Sequence, residues 1–403
     1  MLKTMLIGFI LSCSLAIIVW ICIQSSYAIY FGHDVYIVTP IQNLSLAPKQ
    51  LAVTEKGEVY VVWADKNNIY FSSSHNSGAK FGQHVLLSNN KTSLSFSSPQ
   101  VAATEKGDVY VVWVDKNNKT GDTNIEFISS NDSGMSFGPK KELKGGRAIS
   151  FSAQLAATDN GKVYVVWVDK NNKTGDTNIE FISSNDNGNS FYPTKKIIGG
   201  KELSSSPQIS VTEKGDVYTV WVDQNRKTGD TDIVFRSSND SGMSFGDREK
   251  LRRGNNISSS FPQLTATEKG AVYVVWIDKD NITGNTDVSF RSSNDNGTNF
   301  SRTIDLNRYE GNLSLALAPQ IAATGTGAYV IWSDTNVQFN QILENNVAGQ
   351  RISLSNKTIE SFSPLIFASQ KGDLYAIWID QKNTKEESLN FKRISEYFFP
   401  RNQ

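Results

Sequence analysis

One short run of apolar residues recurs along the chain. Its clearest copies read Gly-x-Val-Tyr-Val-Val-Trp-Val-Asp, from Gly107 to Asp115 and from Gly161 to Asp169. The β-branched and aromatic side chains occupy consecutive positions, so both faces of an extended segment are apolar. That predicts a strand buried on both sides. A strand on an exposed sheet would alternate apolar with polar. The tryptophans of the run are Trp63, Trp113, Trp167, Trp221, Trp276, Trp332 and Trp378, spaced 46 to 56 residues apart. A repeat of about 50 residues made of short strands is the pattern of a β-propeller.

The unit 98–143 shows how one repeat is built. A short apolar run over 99–104 precedes a turn containing Gly107, and the tryptophan strand follows over 109–114. A polar loop leads to a third strand at 124–128, then a hairpin turn and a fourth strand near 140–143. Later units are expected to begin near Ala153, Pro207, Pro262, Pro319 and Pro364, and the first near Pro48. The last unit lacks a fourth strand. Residues 31–38 resemble the fourth strand of the first unit and are expected to supply it. The predicted fold is all-β: a seven-bladed propeller of four-stranded antiparallel blades, its ring closed by the N-terminal strand. Six blades is the alternative if the divergent Trp332 unit is something else.

Residues 1–28 read as a targeting segment. Lys3 precedes the apolar stretch 5–23, and Ser26-Tyr27-Ala28 fits a cleavage site. The alternative is an uncleaved membrane anchor, since the stretch is long enough to span a bilayer. Either way residues 29–403 are expected to form one exported domain, secreted or held at the cell surface. Both cysteines, Cys13 and Cys22, fall in the targeting segment, so no disulfide is expected in the domain. Lys+Arg and Asp+Glu are both 40. That balance gives no reason to expect nucleic acid, or a membrane beyond the anchor, as partner. Twelve Asn-x-Ser/Thr sequons are compatible with a glycoprotein.

The turn between third and fourth strands has the form S-x-D-x-G-x-x-F. It occurs at Ser130–Phe137, Ser184–Phe191, Ser238–Phe245 and Ser293–Phe300, with Asn76 replacing Asp in the copy at Ser74–Phe81. The Asp side chain is expected to accept N–H bonds across the turn, the Gly to adopt a left-handed conformation, and the Phe to tuck the hairpin down. These residues resemble the Asp-box, or bacterial neuraminidase repeat, of sialidase-like propellers, as found in exported archaeal proteins of unassigned function. The resemblance covers about residues 31–395. It implies that Asp132, Gly134, Asp186, Gly188, Asp240, Gly242, Asp295 and Gly297 are structural turn residues, away from any active face.

Sialidases of that family hold a carboxylate with three arginines, one from an early F/Y-R-I-P motif. Here the corresponding region reads Tyr30-Phe31-Gly32-His33. Arg147, Arg226, Arg253 and Arg308 are expected on the loop-bearing face, with Tyr309 and Glu310 beside the last. Two rings recur there. Each tryptophan strand ends in W-x-D, giving Asp65, Asp115, Asp169, Asp223, Asp278, Asp334 and Asp380. Each first strand carries an amide, giving Gln50, Gln100, Gln154, Gln208, Gln263 and Gln320, with Leu365 in the last unit. The aspartates are expected to cap their own loops; calcium or ligand binding are the alternatives. The amides either line the channel mouth as a ligand site or satisfy strand ends. His33, His75 and His84 have no metal-ligand spacing, and no metal or other cofactor is assigned. The favoured function is a non-catalytic propeller that binds a glycan or a cell-surface protein, or serves in the envelope. The alternatives are a sialidase-like glycoside hydrolase and a metal-stiffened structural repeat.

Overall fold

The computed structural model describes residues 27–31, 35–36, 49–65, 68–89, 99–116, 121–144, 149–198, 203–251, 256–307, 317–334, 336–343, 348–355, 360–368, 373–383 and 386–398. The apolar stretch 5–23 lies outside them. Among the described residues all regular structure is β, and no helix is long and apolar enough to cross a membrane.

The chain forms antiparallel four-stranded units. In the second unit Gln100–Ala103 pairs with Val109–Lys116, which pairs with Thr123–Ser130, which pairs with Lys141–Lys144. The divergent Trp332 segment builds the same sheet from Leu317–Thr324, Gly327–Ser333, Val337–Leu343 and Ile352–Ser353. In the last unit Glu360–Ala368, Asp373–Asn383 and Glu386–Phe398 pair in sequence order. The N-terminal strands Tyr27–Phe31 and Val35–Tyr36 pair antiparallel with the outer side of Glu386–Phe398.

The doubly apolar strands are buried as their sequence requires. Val109 to Val114 are all 2% exposed or less. Each tryptophan packs on the preceding unit: Trp113 lies with Tyr60, Val62 and Phe71, and Trp378 with Tyr329, Ile331 and Phe339. The same relation joins the last unit to the first, where Tyr375 and Ile377 share a cluster with Leu51, Val59 and Trp63. Stacked sheets thus bury both faces of every tryptophan strand.

The inner strands differ from the sequence expectation. They begin four to five residues earlier than Ala153, Pro207, Pro262 and Pro364 suggest, at Ile149, Leu203, Ile257 and Glu360. A bulge lies between the two halves of each, for example between Phe151 and Gln154. The residue before the proline or alanine is left-handed: Ser152, Ser206, Phe261, Ala318 and Ser363 have φ of 49–54°. The prolines mark this bulge rather than the strand start, because a bulge interrupts the ladder where an N–H is missing. Ahead of the bulge the chain also pairs with the third strand of the preceding unit, as Ile149 does with Thr123.

Candidate functional site

The inner strands surround a channel of about 800 Å³. Gln50, Gln100, Gln154, Gln208 and Gln320 line it, and Gln263 occupies the same register opposite Val275. Gln50 Nε2 donates to Gln100 Oε1 at 2.8 Å, so neighbouring amides bond to one another across units. Below the amides the walls are mostly small residues, among them Ala52, Ala102, Ala156 and Ala322.

At the opposite end lies a ring of carboxylates outside the repeat's W-x-D and Gln positions: Glu55, Glu105, Asp159, Glu213 and Glu268. Glu105, Asp159, Glu213 and Glu268 each accept the backbone N–H of the counterpart in the preceding unit. Glu105 N–H donates to Asp159 at 2.7 Å, Asp159 N–H to Glu213 at 2.8 Å and Glu213 N–H to Glu268 at 2.8 Å; Glu55 N–H donates to Glu105. Burial pushes the Glu105 and Glu213 carboxyls upward, with neighbouring carboxylates adding to the shift. The recurring acid after Thr in the first turn was the available signal.

The W-x-D aspartates lie at the amide end, and Asp115, Asp169, Asp223, Asp278 and Asp380 are engaged inside their own units. Asp223 accepts from Trp221 Nε1 at 2.8 Å and from Ser204 Oγ at 2.6 Å, and pairs with Arg248. Asp380 accepts from Trp378 Nε1 at 2.9 Å and Ser361 Oγ at 2.6 Å. Asp169 accepts from Ser150, and Asp278 from Ser259 and Ser289. Asp115 faces Lys140 at 3.7 Å. Asp65 closes the strand Val59–Asp65, and Asp334 follows Gly327–Ser333.

Most of these aspartates sit within the strand ladder, Asp169 opposite Asn178 for example. In three units the loop is capped by the residue two places beyond the W-x-D aspartate. Asn171 Oδ1 accepts from Lys173 and Thr174 N–H, Asn225 from Lys227 and Thr228, and Asp280 from Ile282 and Thr283. The strand continues past W-x-D, so the loop starts later than polarity alone indicates. Among the described residues no cluster of three His, Cys, Asp or Glu could hold a metal ion.

The S-x-D-x-G-x-x-F turns have the bonding their chemistry implies. Asp132 accepts from Ser130 Oγ at 2.7 Å, Ser136 N–H at 2.8 Å and Ser136 Oγ at 2.5 Å. The Ser130 hydroxyl first, then Ser136, hold the Asp132 carboxyl down at about 2. Asp186 and Asp295 are likewise held at about 2, by Ser190 and Ser293 first. Asp240 has the same partners, Ser238 and Ser244. Gly134, Gly188, Gly242 and Gly297 are left-handed, with φ of 72–79°. The aromatic packs outward onto the neighbouring unit: Phe137 meets Phe71 edge-on at 5.1 Å, and Phe191 meets Phe127 at 5.2 Å.

Of the four arginines, Arg226 is described and bonds Asp176 across adjoining loops at 2.5 Å. Arg147, Arg253 and Arg308, with Tyr309 and Glu310, lie outside the described residues, as does His33. His75 lies 3.2 Å from Glu58, and His84 packs edge-on to Tyr70 at 5.4 Å.

The third strands carry two further buried acids. Glu126, opposite Trp113, is 4% exposed and lies 3.2 Å from Lys140. Glu180, opposite Trp167, is 5% exposed. Burial raises both carboxyls; Lys140 opposes the shift at Glu126, and Asp169 adds to it at Glu180.

No known protein family matches the chain, and no curated protein matches it. Solved structures do. A polysaccharide lyase, an ulvan lyase bound to a sulfated glucuronic acid–rhamnose unit, is 10% identical with a TM-score of 0.61 and matches over 89% of this chain and 94% of its own. The α-L-arabinanase of Penicillium chrysogenum with arabinobiose is 12% identical with a TM-score of 0.51, covering 90% and 98%. An α-L-arabinofuranosidase of Fusarium graminearum in complex with an iminosugar inhibitor is 12% identical with a TM-score of 0.53, covering 90% and 97%. At these identities the likeness is one of fold: an all-β propeller.

Proposed function

We propose that this protein is an exported Asp-box propeller that binds a glycan, without catalysis, through the amide ring at its channel mouth. The carrying observation is the ring itself: amides that donate and accept, at one register, around an open channel. Such groups match the hydroxyls of a saccharide. The propellers it resembles include enzymes acting on polysaccharides and arabinans, which favours a glycan over a protein partner or a purely envelope role. Asp169, Asp223, Asp278 and Asp380 are already bonded to tryptophan, serine or arginine side chains, so they serve the fold in this reading.

The same proposal includes seven blades and a ring closed by the N-terminal strand. Its support is the pairing of Tyr27–Phe31 with the last strand and the core shared by Tyr375, Ile377 and Trp63. Export rests on the segment 1–28, and sequencing the N-terminus of the mature protein tests cleavage after Ala28.

Binding to an array of plant, algal and microbial glycans, with calcium present, tests the function. Selective binding is expected, and a blank array overturns the glycan reading. The second reading, a glycoside hydrolase, draws on the fold likeness to arabinan-degrading enzymes. New reducing ends released from any bound glycan would establish it.

A further inference from the structure

The inner strands are not alike in every unit. At the left-handed position of the inner strand stand Ser152, Ser206, Ala318 and Ser363, all small, and then Phe261. A left-handed conformation is unfavourable for an L-residue, and a bulky side chain rarely takes it. Phe261 does so with φ of 51°, and it is 54% exposed, so burial does not offset the cost. Two further apolar side chains are exposed nearby in the chain architecture. Leu317 opens the next inner strand, and Ile282 lies on the loop at the same end of the Phe261 unit. Seven large hydrophobics are exposed among the described residues. These three share the mouth end of two adjoining units, whereas Leu86, Met135, Tyr192 and Met243 lie on outer strands or Asp-box turns.

Phe261 precedes Gln263 by two residues, and the flanking inner strands carry Gln208 and Gln320 at that same register. An aromatic face beside amides suits a sugar ring: the apolar C–H face stacks on the aromatic while hydroxyls bond the amides. A bulge is a device for re-aiming one side chain, and here it turns an aromatic out of the fold. We infer that Phe261 is the stacking platform of a saccharide subsite at the channel mouth, taking one sugar ring of an oligosaccharide. The inference rests on the glycan reading above and assigns that site a polarity: the Phe261 sector grips the ring face, and the other sectors contact hydroxyls.

Calorimetric titration of the purified protein with arabinobiose, xylohexaose, cellohexaose and chitohexaose tests it, using Phe261→Ser and Phe261→Tyr variants. Serine is what Ser152, Ser206 and Ser363 already place there, so Phe261→Ser keeps the melting temperature of the parent. For an oligosaccharide that the parent binds, Phe261→Ser is expected to weaken affinity by about tenfold or more, and Phe261→Tyr by less than about threefold. Unchanged affinity in Phe261→Ser overturns the platform while leaving the glycan reading intact. No binding of any of the four probes by the parent overturns both.

Discussion

Gly134 abuts the ring edge of Phe71 in the preceding unit: a Cβ added to it would stand 2.5 Å from two ring carbons. The same contact recurs between Gly188 and Phe127, Gly242 and Phe181, and Gly297 and Phe235. The glycine of the S-x-D-x-G-x-x-F turn therefore serves two needs, the left-handed turn and the close approach of adjacent sheets. Gly134→Ala is expected to destabilise by about 2–4 kcal/mol through overpacking added to backbone strain. Gly121, with φ of 78° and nothing within 4 Å, separates the two contributions. Gly121→Ala is expected to cost only about 1–2 kcal/mol. Denaturant unfolding measures both, and equal losses would refute the inter-unit contact.

Asp223 joins Trp221, Ser204 and Arg248 at a site where it is 3% exposed. Asp223→Ala leaves an indole N–H, a hydroxyl and a guanidinium without their acceptor. A loss of about 3–5 kcal/mol is expected from breaking such a buried pair. Glycan binding by the folded fraction is expected to stay unchanged, and calorimetric titration alongside the melting curve checks this.

Stability is expected to depend on pH in two opposite windows. Glu126 and Glu180 have raised carboxyls, so the folded state takes up their protons before the unfolded state does. Their ionisation penalises the fold above the raised values and is relieved as pH falls through them. The melting temperature should therefore rise on mild acidification from neutrality, and Glu180→Gln should raise it at neutral pH and flatten this window. Asp132, Asp186 and Asp295 are held at about 2. Their stabilisation is complete above the ordinary value of about 4 and is lost as pH falls from there towards 2. Replacing all three by Asn should shrink that acid-side loss to the part contributed by Asp240, which is also held at about 2.

The outer side of Glu386–Phe398 is paired by Tyr27–Phe31 and Val35–Tyr36. Deleting residues 27–36 exposes that strand edge. An exposed edge recruits other chains, so self-association is expected in analytical ultracentrifugation. A deletion variant that remains monomeric and as stable as the parent would contradict the closure.

The tryptophan strands were legible in the sequence because burial on both faces leaves an unbroken apolar run, as in 109–114. The S-x-D-x-G-x-x-F turns were legible because Ser130, Asp132 and Gly134 bond locally, within a few residues. The inner-strand bulges were not, since Pro207 and Pro262 look like strand starts until the pairing of Leu203 with Gln224 and Ile257 with Asp280 is seen. The loop caps were missed for a related reason: Asp169 is polar yet lies in the ladder, and Asn171 does the capping. Phe261 was passed over because a single aromatic within an apolar repeat gives no sign of pointing outward. The carboxylate ring depends on bonds between residues 50 to 55 positions apart, such as Glu105 with Asp159 and Glu213 with Glu268, which only the stacking of units creates.

The central claim is that the amides at the channel mouth hold a glycan. Its most direct measurement is the affinity of a Gln154→Ala, Gln208→Ala double variant for the oligosaccharide the parent binds best. Both side chains lie at the channel and neither belongs to a core cluster, so the variant is expected to fold with the parent's melting temperature. A fall in affinity of about a hundredfold, near the sum of two lost polar contacts, is the predicted result. Affinity equal to the parent's would place the glycan elsewhere and contradict the account.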